Sequence, residues 1–267
     1  MPRRPLAALM AAFAATLIYM ESAAGADNRV HLTYVGYLGG APVLSLGANI
    51  TVPEGRKPQD GAYIVSADIA TTGNLAMLYP FTQSLKASGA LKGHRPHPAS
   101  YRSDLQVWDR RESIALTYDA NGSVGIEANP LTRQAQMAQQ QGYANGTMDP
   151  ASAIVAVANA FAQTGTCTGR YALFDGARRY DLVLEQGGFA DLDPTANGYY
   201  SGSATECAAT PELVAGFQQS ALQANLYPQS AKLWLAPAIA GFPSVPVRIV
   251  AQSQFGEMTL ELTQVSR

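Results

Sequence analysis

The chain has 267 residues, a formal net charge of −2 and only 14% charged residues, whereas an average soluble domain carries about 25%. Acidic residues outnumber basic ones by 20 to 18, which excludes a nucleic-acid binder that works through a basic surface. A hydrophobic content of 47% excludes a disordered acidic chain. A mean hydropathy near zero excludes a protein with many membrane-spanning helices.

Residues 1–26 have the organisation of a secretory signal peptide. Arg3 and Arg4 form a basic start, Leu6–Met20 is an apolar run, and Ala24-Gly25-Ala26 is a small-residue cleavage site. The apolar run is short against the roughly 20 residues that span a bilayer. We therefore expect export to the periplasm and cleavage after about Ala26, with an N-terminal membrane anchor as the alternative.

The remaining residues, 27–267, are expected to form a single exported β-rich domain that does not span the membrane. No cysteine precedes Cys167, so we expect no lipid anchor. In an oxidising compartment the default state of Cys167 and Cys207 is a disulfide, and two unpaired buried thiols are the alternative. Closing a loop of about 40 residues would stabilise the fold by roughly 4 kcal/mol in the chain-entropy model.

Most of the chain alternates between short β-rich segments and turn signals about ten residues apart. Asn121-Gly122 and Asp175-Gly176 are hairpin-turn signals. This spacing is typical of an antiparallel sandwich, barrel or meander. The predicted strands are Val30–Leu38, Val43–Val52, Ala62–Ile69, Ala99–Trp108, Glu112–Tyr118, Ser123–Glu127, Tyr171–Phe174, Arg179–Leu184, Lys232–Leu235, Val245–Gln252 and Met258–Val265.

A helix is predicted over residues 150–164. Asp149 suits the N-cap and Pro150 the first helical position, Gly165 suits the C-cap, and the run between them is apolar almost all round. A soluble helix without a polar face must be enclosed. We therefore predict a mainly β fold, in which a curved antiparallel sheet or open, spiral-like barrel wraps around one buried helix. A surface strand pair over residues 151–158 is the alternative.

Three further segments are assigned from composition and spacing. Asn74–Ala87 is a weaker helical candidate, Gln134–Gln141 is predicted to be a loop or edge connection, and Leu192–Ser203 is predicted to be a hairpin or loop.

Trp108 and Trp234 are predicted to anchor the core rather than to stack on a ligand.

The chain carries no nucleophile-elbow, phosphate-loop or dinucleotide-binding motif, so we expect neither a cofactor nor enzymatic activity. His94 and His97 flank Arg95-Pro96, where proline disfavours the helical spacing of a metal site. We expect these two histidines to be solvated and no metal to bind.

Two aspartates remain as candidates. Asp149 is interpreted as a helix cap. Asp175 belongs to a turn next to Arg178, Arg179 and Tyr180, a group that is the candidate contact for an anionic head group or a partner. The rival reading is an envelope hydrolase or transferase, which on a glycan needs two carboxylates about 5–9 Å apart.

A series of short motifs marks the second half of the chain. In order, they are Gly146-Thr147-Met148-Asp149-Pro150 with Ser152-Ala153, Cys167, Phe174-Asp175-Gly176 with Arg178-Arg179-Tyr180, Cys207, Gly216-Phe217, Leu235-Ala236-Pro237 and Val245-Pro246-Val247-Arg248. Together these landmarks resemble the bacterial exported proteins grouped as domain-of-unknown-function family 3108. The resemblance covers nearly all of residues 30–265, implies no activity, and makes the landmarks architectural. More remotely, the expected fold is similar to periplasmic envelope-integrity β-spiral proteins and to lipoprotein-carrier folds.

The sequence thus favours a non-enzymatic, soluble periplasmic protein with a role in the cell envelope. The expected partner is a lipid-like ligand or an envelope protein held in the concavity of the curved sheet. The alternatives are the carboxylate enzyme and a purely structural protein that contacts other envelope components.

Overall fold

The computed structural model describes residues 27–54, 60–93, 95–193, 195, 197–220, 230–253 and 256–267. The expected signal peptide, residues 1–26, lies outside the described residues, and so does His94. Among the described helices, none has the length and apolar character needed to cross a membrane.

In the part of the chain that the structure describes, thirteen antiparallel strands form one sheet, which confirms the predicted mainly β fold. Strands that are consecutive in sequence pair with each other, except for β7 and β8. In addition, β1 pairs with β13, from His31 opposite Ser266 to Leu38 opposite Met258. Among the described strands, β7 and β8 remain the two edges, so the sheet is not closed. The strands are β1 Asp27–Leu38, β2 Ala41–Pro53, β3 Gly61–Thr71, β4 Phe81–Lys92, β5 Arg95–Val107, β6 Arg110–Tyr118, β7 Val124–Asn129, β8 Gly169–Phe174, β9 Arg179–Leu192, β10 Gly202–Ala215, β11 Ala231–Ala236, β12 Val245–Ser253 and β13 Gly256–Ser266.

A buried helix, α3 (Pro150–Thr164), lies against the sheet and contacts β3, β4, β5 and β8. Its N-cap is Asp149, and Gly165 ends it in the left-handed conformation, as the sequence predicts. The alternative of a surface strand pair over 151–158 is wrong. The core between the helix and the sheet includes Val30, Leu32, Ile50, Tyr63, Val65, Leu116, Val155, Phe174 and Leu262.

The connection from β7 to α3 covers both open edges of the sheet. Gln139 donates from Nε2 to the Ile126 carbonyl of β7 at 2.6 Å. On the other edge, the Met148 amide donates to the Ala172 carbonyl of β8, and the Phe174 amide donates to the Met148 carbonyl, both at 2.9 Å. These bonds occupy backbone groups that an exposed edge would offer to another chain.

Residues 134–141 are helical, so the prediction of a loop there is wrong. They belong to α2 (Arg133–Gln141), whose N-cap Thr132 accepts a hydrogen bond from the Ala135 amide at 3.2 Å. Gly142 ends the helix in the left-handed conformation. The buried residues of this polar helix are Ala135 and Ala138. Because their side chains are small, the sequence shows no strong apolar periodicity that would predict a helix.

The helical prediction over 74–87 holds only for its start. The helix α1 covers Gly73–Leu78, and β4 begins at Phe81. Pro80 cannot donate a backbone hydrogen bond and marks the boundary. β9 and β10 are hairpin partners, in agreement with the prediction of a hairpin or loop over 192–203. Pro194 and Ala196 of that segment lie outside the described residues.

Cys167 and Cys207 form a disulfide that joins the segment after α3 to β10, as expected. Both cysteines are buried and pack against Leu235, Val157 and Phe161. The bridge therefore fastens the C-terminal half of α3 to the sheet.

The two tryptophans differ in their surroundings. Trp234 packs against the core, whereas Trp108 is 53% exposed and adopts a φ of +58° in the β5–β6 turn. The prediction that Trp108 anchors the core is therefore wrong. A non-glycine residue in this conformation is uncommon, and the tight two-residue turn imposes it.

Candidate functional site

An apolar cavity of about 390 Å³ lies between α3 and the interior face of the sheet. Its volume falls in the range of about 300–1,000 Å³ that is usual for small-molecule sites. Aliphatic side chains from both halves of the sheet line it, among them Leu32, Ile50, Val65, Leu182, Leu233 and Leu260.

The helix α3 contributes one of its faces to this cavity. Ser152 and Ala156 are buried, whereas Val157 and Ala158 are partly exposed and Ile154 is 45% exposed. Ile154, Val157 and Ala158 line the cavity, so water reaches the space along this face of the helix. The partly exposed face of α3 is therefore also apolar, because it forms one wall of the cavity.

Asn159 is the exception in this apolar wall. It lines the cavity, is only 2% exposed, and its Nδ2 has no hydrogen-bond partner among the described residues. Sequence reasoning overlooked it, although it is the one amide side chain within the apolar run 151–162. An isolated amide in such a run was the available signal.

A second, more polar cleft of about 920 Å³ adjoins the apolar cavity. Leu85, Pro150 and Tyr180 line both spaces, which makes them neighbours. Asp175 and Arg178 also line the cleft. The structure thus brings three of the four predicted contact residues, Asp175, Arg178 and Tyr180, to a place beside the apolar cavity.

Asp175 organises the turn between β8 and β9. Its Oδ1 accepts hydrogen bonds from the Ala177 amide at 3.1 Å and from the Arg178 amide at 2.8 Å, and its Oδ2 accepts from Arg178 Nε at 2.7 Å. This carboxylate therefore closes the turn and fixes the direction of the Arg178 side chain toward the cleft.

The fourth predicted contact residue, Arg179, does not line the cleft. It forms an ion pair with Asp181, which also pairs with Arg170 at 2.8 Å. Burial acts to raise the pKa of Asp181, but the hydrogen bonds from Arg179 and Arg170 outweigh it and hold the pKa below its ordinary value. Arg179 thus pairs within β9, whereas Arg170 of β8 is the partner of Asp181 from the neighbouring strand.

Asp149 is fully buried at the start of α3. Its Oδ1 accepts from the Ser152 amide at 2.8 Å, and its Oδ2 accepts from the Ser152 hydroxyl at 2.6 Å. Because that hydroxyl proton is committed to Asp149, the Tyr63 hydroxyl donates to Ser152 Oγ, at 2.8 Å. Burial raises the pKa of Asp149, against the hydrogen bonds from Ser152.

The two aspartates considered for catalysis thus each serve local structure, Asp149 at a helix start and Asp175 in a turn. Of the histidines, His31 lies on β1 and its Nδ1 is 3.0 Å from Asn49 Oδ1, while His97 lies on β5. Within the described ranges no three potential metal ligands of the His, Cys, Asp or Glu type come together.

A family model described as a protein of unknown function, DUF3108, matches residues 33–263. No curated protein matches the chain at a significant level. Among solved structures, the chain is similar to a β-barrel-like protein of the domain of unknown function DUF1849 from Brucella abortus. The two share 9% sequence identity with a TM-score of 0.53, over 89% of this chain and 96% of the other, which is a likeness of fold.

Proposed function

The chain belongs to the DUF3108 family, and we propose that it is a non-enzymatic periplasmic protein of the cell envelope that binds a lipid-like ligand beside α3. The observation that carries the proposal is the apolar cavity of about 390 Å³ between that helix and the sheet. A signal-like N-terminus and the disulfide support export, because disulfides persist in oxidising compartments.

The lining of the cavity favours an apolar ligand. Its walls are aliphatic side chains from the strands and from α3, which offer little to a sugar or a nucleotide. Each Å² of apolar ligand surface removed from water contributes about 25 cal/mol. A hydrocarbon chain therefore gains binding energy along the whole length of the cavity.

The adjoining cleft suits the polar end of the same ligand. Tyr180 supplies an aromatic wall where the two spaces meet. Arg178, which is paired with Asp175, supplies a cationic group in the cleft. A lipid-like molecule fits this arrangement, because its hydrocarbon chain can occupy the apolar cavity while its polar end occupies the adjoining cleft. Asp175 fixes Arg178 in this position.

The experiment compares two alanine-to-leucine variants of α3. Ala158 lines the cavity, whereas Ala162, one turn further on, does not. Both substitutions change helix propensity equally, so they differ in whether the added side chain enters the cavity. The readouts are the affinity for the apolar dye N-phenyl-1-naphthylamine and the lipids recovered by solvent extraction and mass spectrometry.

We expect the wild type and Ala162→Leu to bind the dye and to retain lipid, and Ala158→Leu to lose at least tenfold in dye affinity while its melting temperature is kept or raised. A wild-type protein that carries no lipid and binds no dye would overturn the proposal. Equal binding by the two variants would place the ligand elsewhere than beside Ala158.

A further inference from the structure

Four large apolar side chains lie exposed on adjacent turns at one end of the sheet, and we call them the rim: Met77, Leu78, Tyr79 and Trp108. Met77 and Leu78 end the helix α1 and are 74% and 73% exposed. Trp108 occupies the neighbouring β5–β6 turn, where its amide donates to the Pro80 carbonyl at 3.1 Å. Because this hydrogen bond holds the two turns side by side, the rim forms one apolar surface, and such surfaces mark interaction sites.

The rim lies at the mouth of the polar cleft. Tyr79 and Trp108 line this cleft and are also exposed, so they border its opening to solvent. The cleft in turn adjoins the apolar cavity beside α3. A partner that covers the rim therefore lies at the entrance of the ligand site.

The size of the rim favours a lipid bilayer over a protein as that partner. Aromatic side chains bury about 150–250 Å² each, so four large side chains that are 39–74% exposed offer roughly 500 Å². A stable interface with a second copy or another protein needs about 800 Å² from each side. A bilayer sets no such threshold, because binding strengthens with each apolar side chain that enters the headgroup region.

The chemistry of the rim matches the boundary between headgroups and acyl chains, where tryptophan and tyrosine are enriched. Residues 109–112, which follow Trp108, carry two acidic and two basic side chains, and Arg110 forms an ion pair with Glu112. This balance provides no net attraction to anionic lipids. The rim is therefore suited to insertion among zwitterionic lipids.

Resting on the proposed function, we infer that the rim docks the protein on a lipid bilayer by inserting Met77, Leu78 and Trp108 among the headgroups. The mouth of the cleft then faces the lipids. The polar end of the ligand lies in the cleft near headgroup level, and its hydrocarbon chain occupies the apolar cavity.

The test measures cosedimentation with phosphatidylcholine vesicles and the quenching of tryptophan fluorescence by brominated phosphatidylcholine. The rim variant combines Met77→Asp with Leu78→Asp and keeps Trp108 as the reporter. No residue of α1 is buried, so the substitutions leave the core intact. The matched control is Phe189→Asp, since Phe189 is 76% exposed but lies about 33 Å along β9 from the end of that strand next to the cleft.

We expect the wild type and Phe189→Asp to bind the vesicles equally and to be quenched. The rim variant should bind at least tenfold more weakly, because charged groups replace inserted apolar ones. Trp108→Phe should lose most of the quenching, since Trp234 packs against the core. Added salt should leave wild-type binding unchanged, because screening acts on charges.

Equal losses in the rim variant and in Phe189→Asp, or a wild type that binds no vesicles, would overturn the inference. A wild-type dimer in sedimentation that the rim variant loses would assign the rim to a second copy and would also overturn it. Without vesicles, the rim variant should keep the wild-type affinity for N-phenyl-1-naphthylamine, because Met77 and Leu78 do not line the cavity. Dye binding without vesicle binding thus overturns the docking alone, and vesicle binding without dye binding overturns the proposed function alone.

Discussion

Ser152 binds both carboxylate oxygens of Asp149, with its amide on Oδ1 at 2.8 Å and its hydroxyl on Oδ2 at 2.6 Å. One residue thus satisfies a fully buried acid at the start of the central helix. The Tyr63 hydroxyl of β3 completes the chain of hydrogen bonds and ties the helix start to the sheet.

Replacing Asp149 by alanine is expected to lower the free energy of unfolding by about 1–3 kcal/mol. The loss combines a missing N-cap with a buried Ser152 amide that has no acceptor. Asp149→Asn is the matched control, because asparagine caps helices about as well as aspartate. Urea unfolding of the three proteins checks this expectation, and a loss in the asparagine variant equal to that in the alanine variant would contradict it.

The raised pKa of Asp149 predicts a pH dependence with a definite sign. Burial lifts the pKa above its ordinary value of 3.8, so above about pH 4 the folded state holds a proton that the unfolded state has released. The free energy of unfolding then falls as pH rises through that window. The variant Asp149→Asn has no titratable carboxyl group at this position and should therefore lack this pH dependence.

Unfolding in urea at several pH values from 4 to 7 measures the effect. The stability of the wild type relative to Asp149→Asn should decrease with rising pH and level off once the folded-state carboxyl has ionised. A relative stability that increases over the same range would show that the Ser152 hydrogen bonds outweigh burial.

The disulfide predicts a stability difference that depends on the redox state. Cys167 and Cys207 close a loop of sequence separation 40, which contributes about 4 kcal/mol in the chain-entropy model. Replacing both cysteines by alanine should therefore lower the melting temperature by about 8–16 °C for a chain of this size. In reductant the melting temperature of the wild type should fall close to that of the variant. If the difference in melting temperature persisted in reductant, it would come from packing around Leu235 and not from the disulfide.

Two glycines with nearly the same backbone conformation allow a matched test of packing around the polar cleft. Gly216 and Gly40 have φ of +81° and +83°, but a Cβ at Gly216 would overlap the Ala177 carbonyl oxygen, whereas Gly40 faces open space. Both alanine variants bear the backbone strain of about 1–2 kcal/mol.

Gly216→Ala should lose about 1–3 kcal/mol more than Gly40→Ala, the usual effect of overpacking. Thermal unfolding of the two variants provides the comparison. Equal losses would mean that the β8–β9 turn, which carries Asp175 and Arg178, moves aside freely.

The strands and the central helix could be predicted because their signals are local. Asp149-Pro150 and Gly165 mark the two ends of α3, and turns such as Asp175-Gly176 separate strands whose side chains alternate. The helix α2 was missed because its interior, with three consecutive glutamines, shows no apolar stripe. Its caps, Thr132 and Gly142, were visible in the sequence and define its limits.

The candidate site was predictable only in outline. The enclosure of α3 followed from its apolar surface, but the cavity depends on how far the helix stands from strands that are distant in the chain, such as β2 and β11. Local pattern holds no information on that distance. Trp108 shows the converse, since a residue type favoured in cores sits exposed where a two-residue turn places it.

The pairing of β1 with β13 has a consequence for how the chain folds. β1 ends at Leu38 and β13 begins at Gly256, so this pairing joins the two ends of the described domain, and such non-local contacts are slow to form. Until it forms, one side of β1 offers unpaired backbone groups to any extended chain nearby. A chain cut before Gly256 would leave that side of β1 without its partner strand.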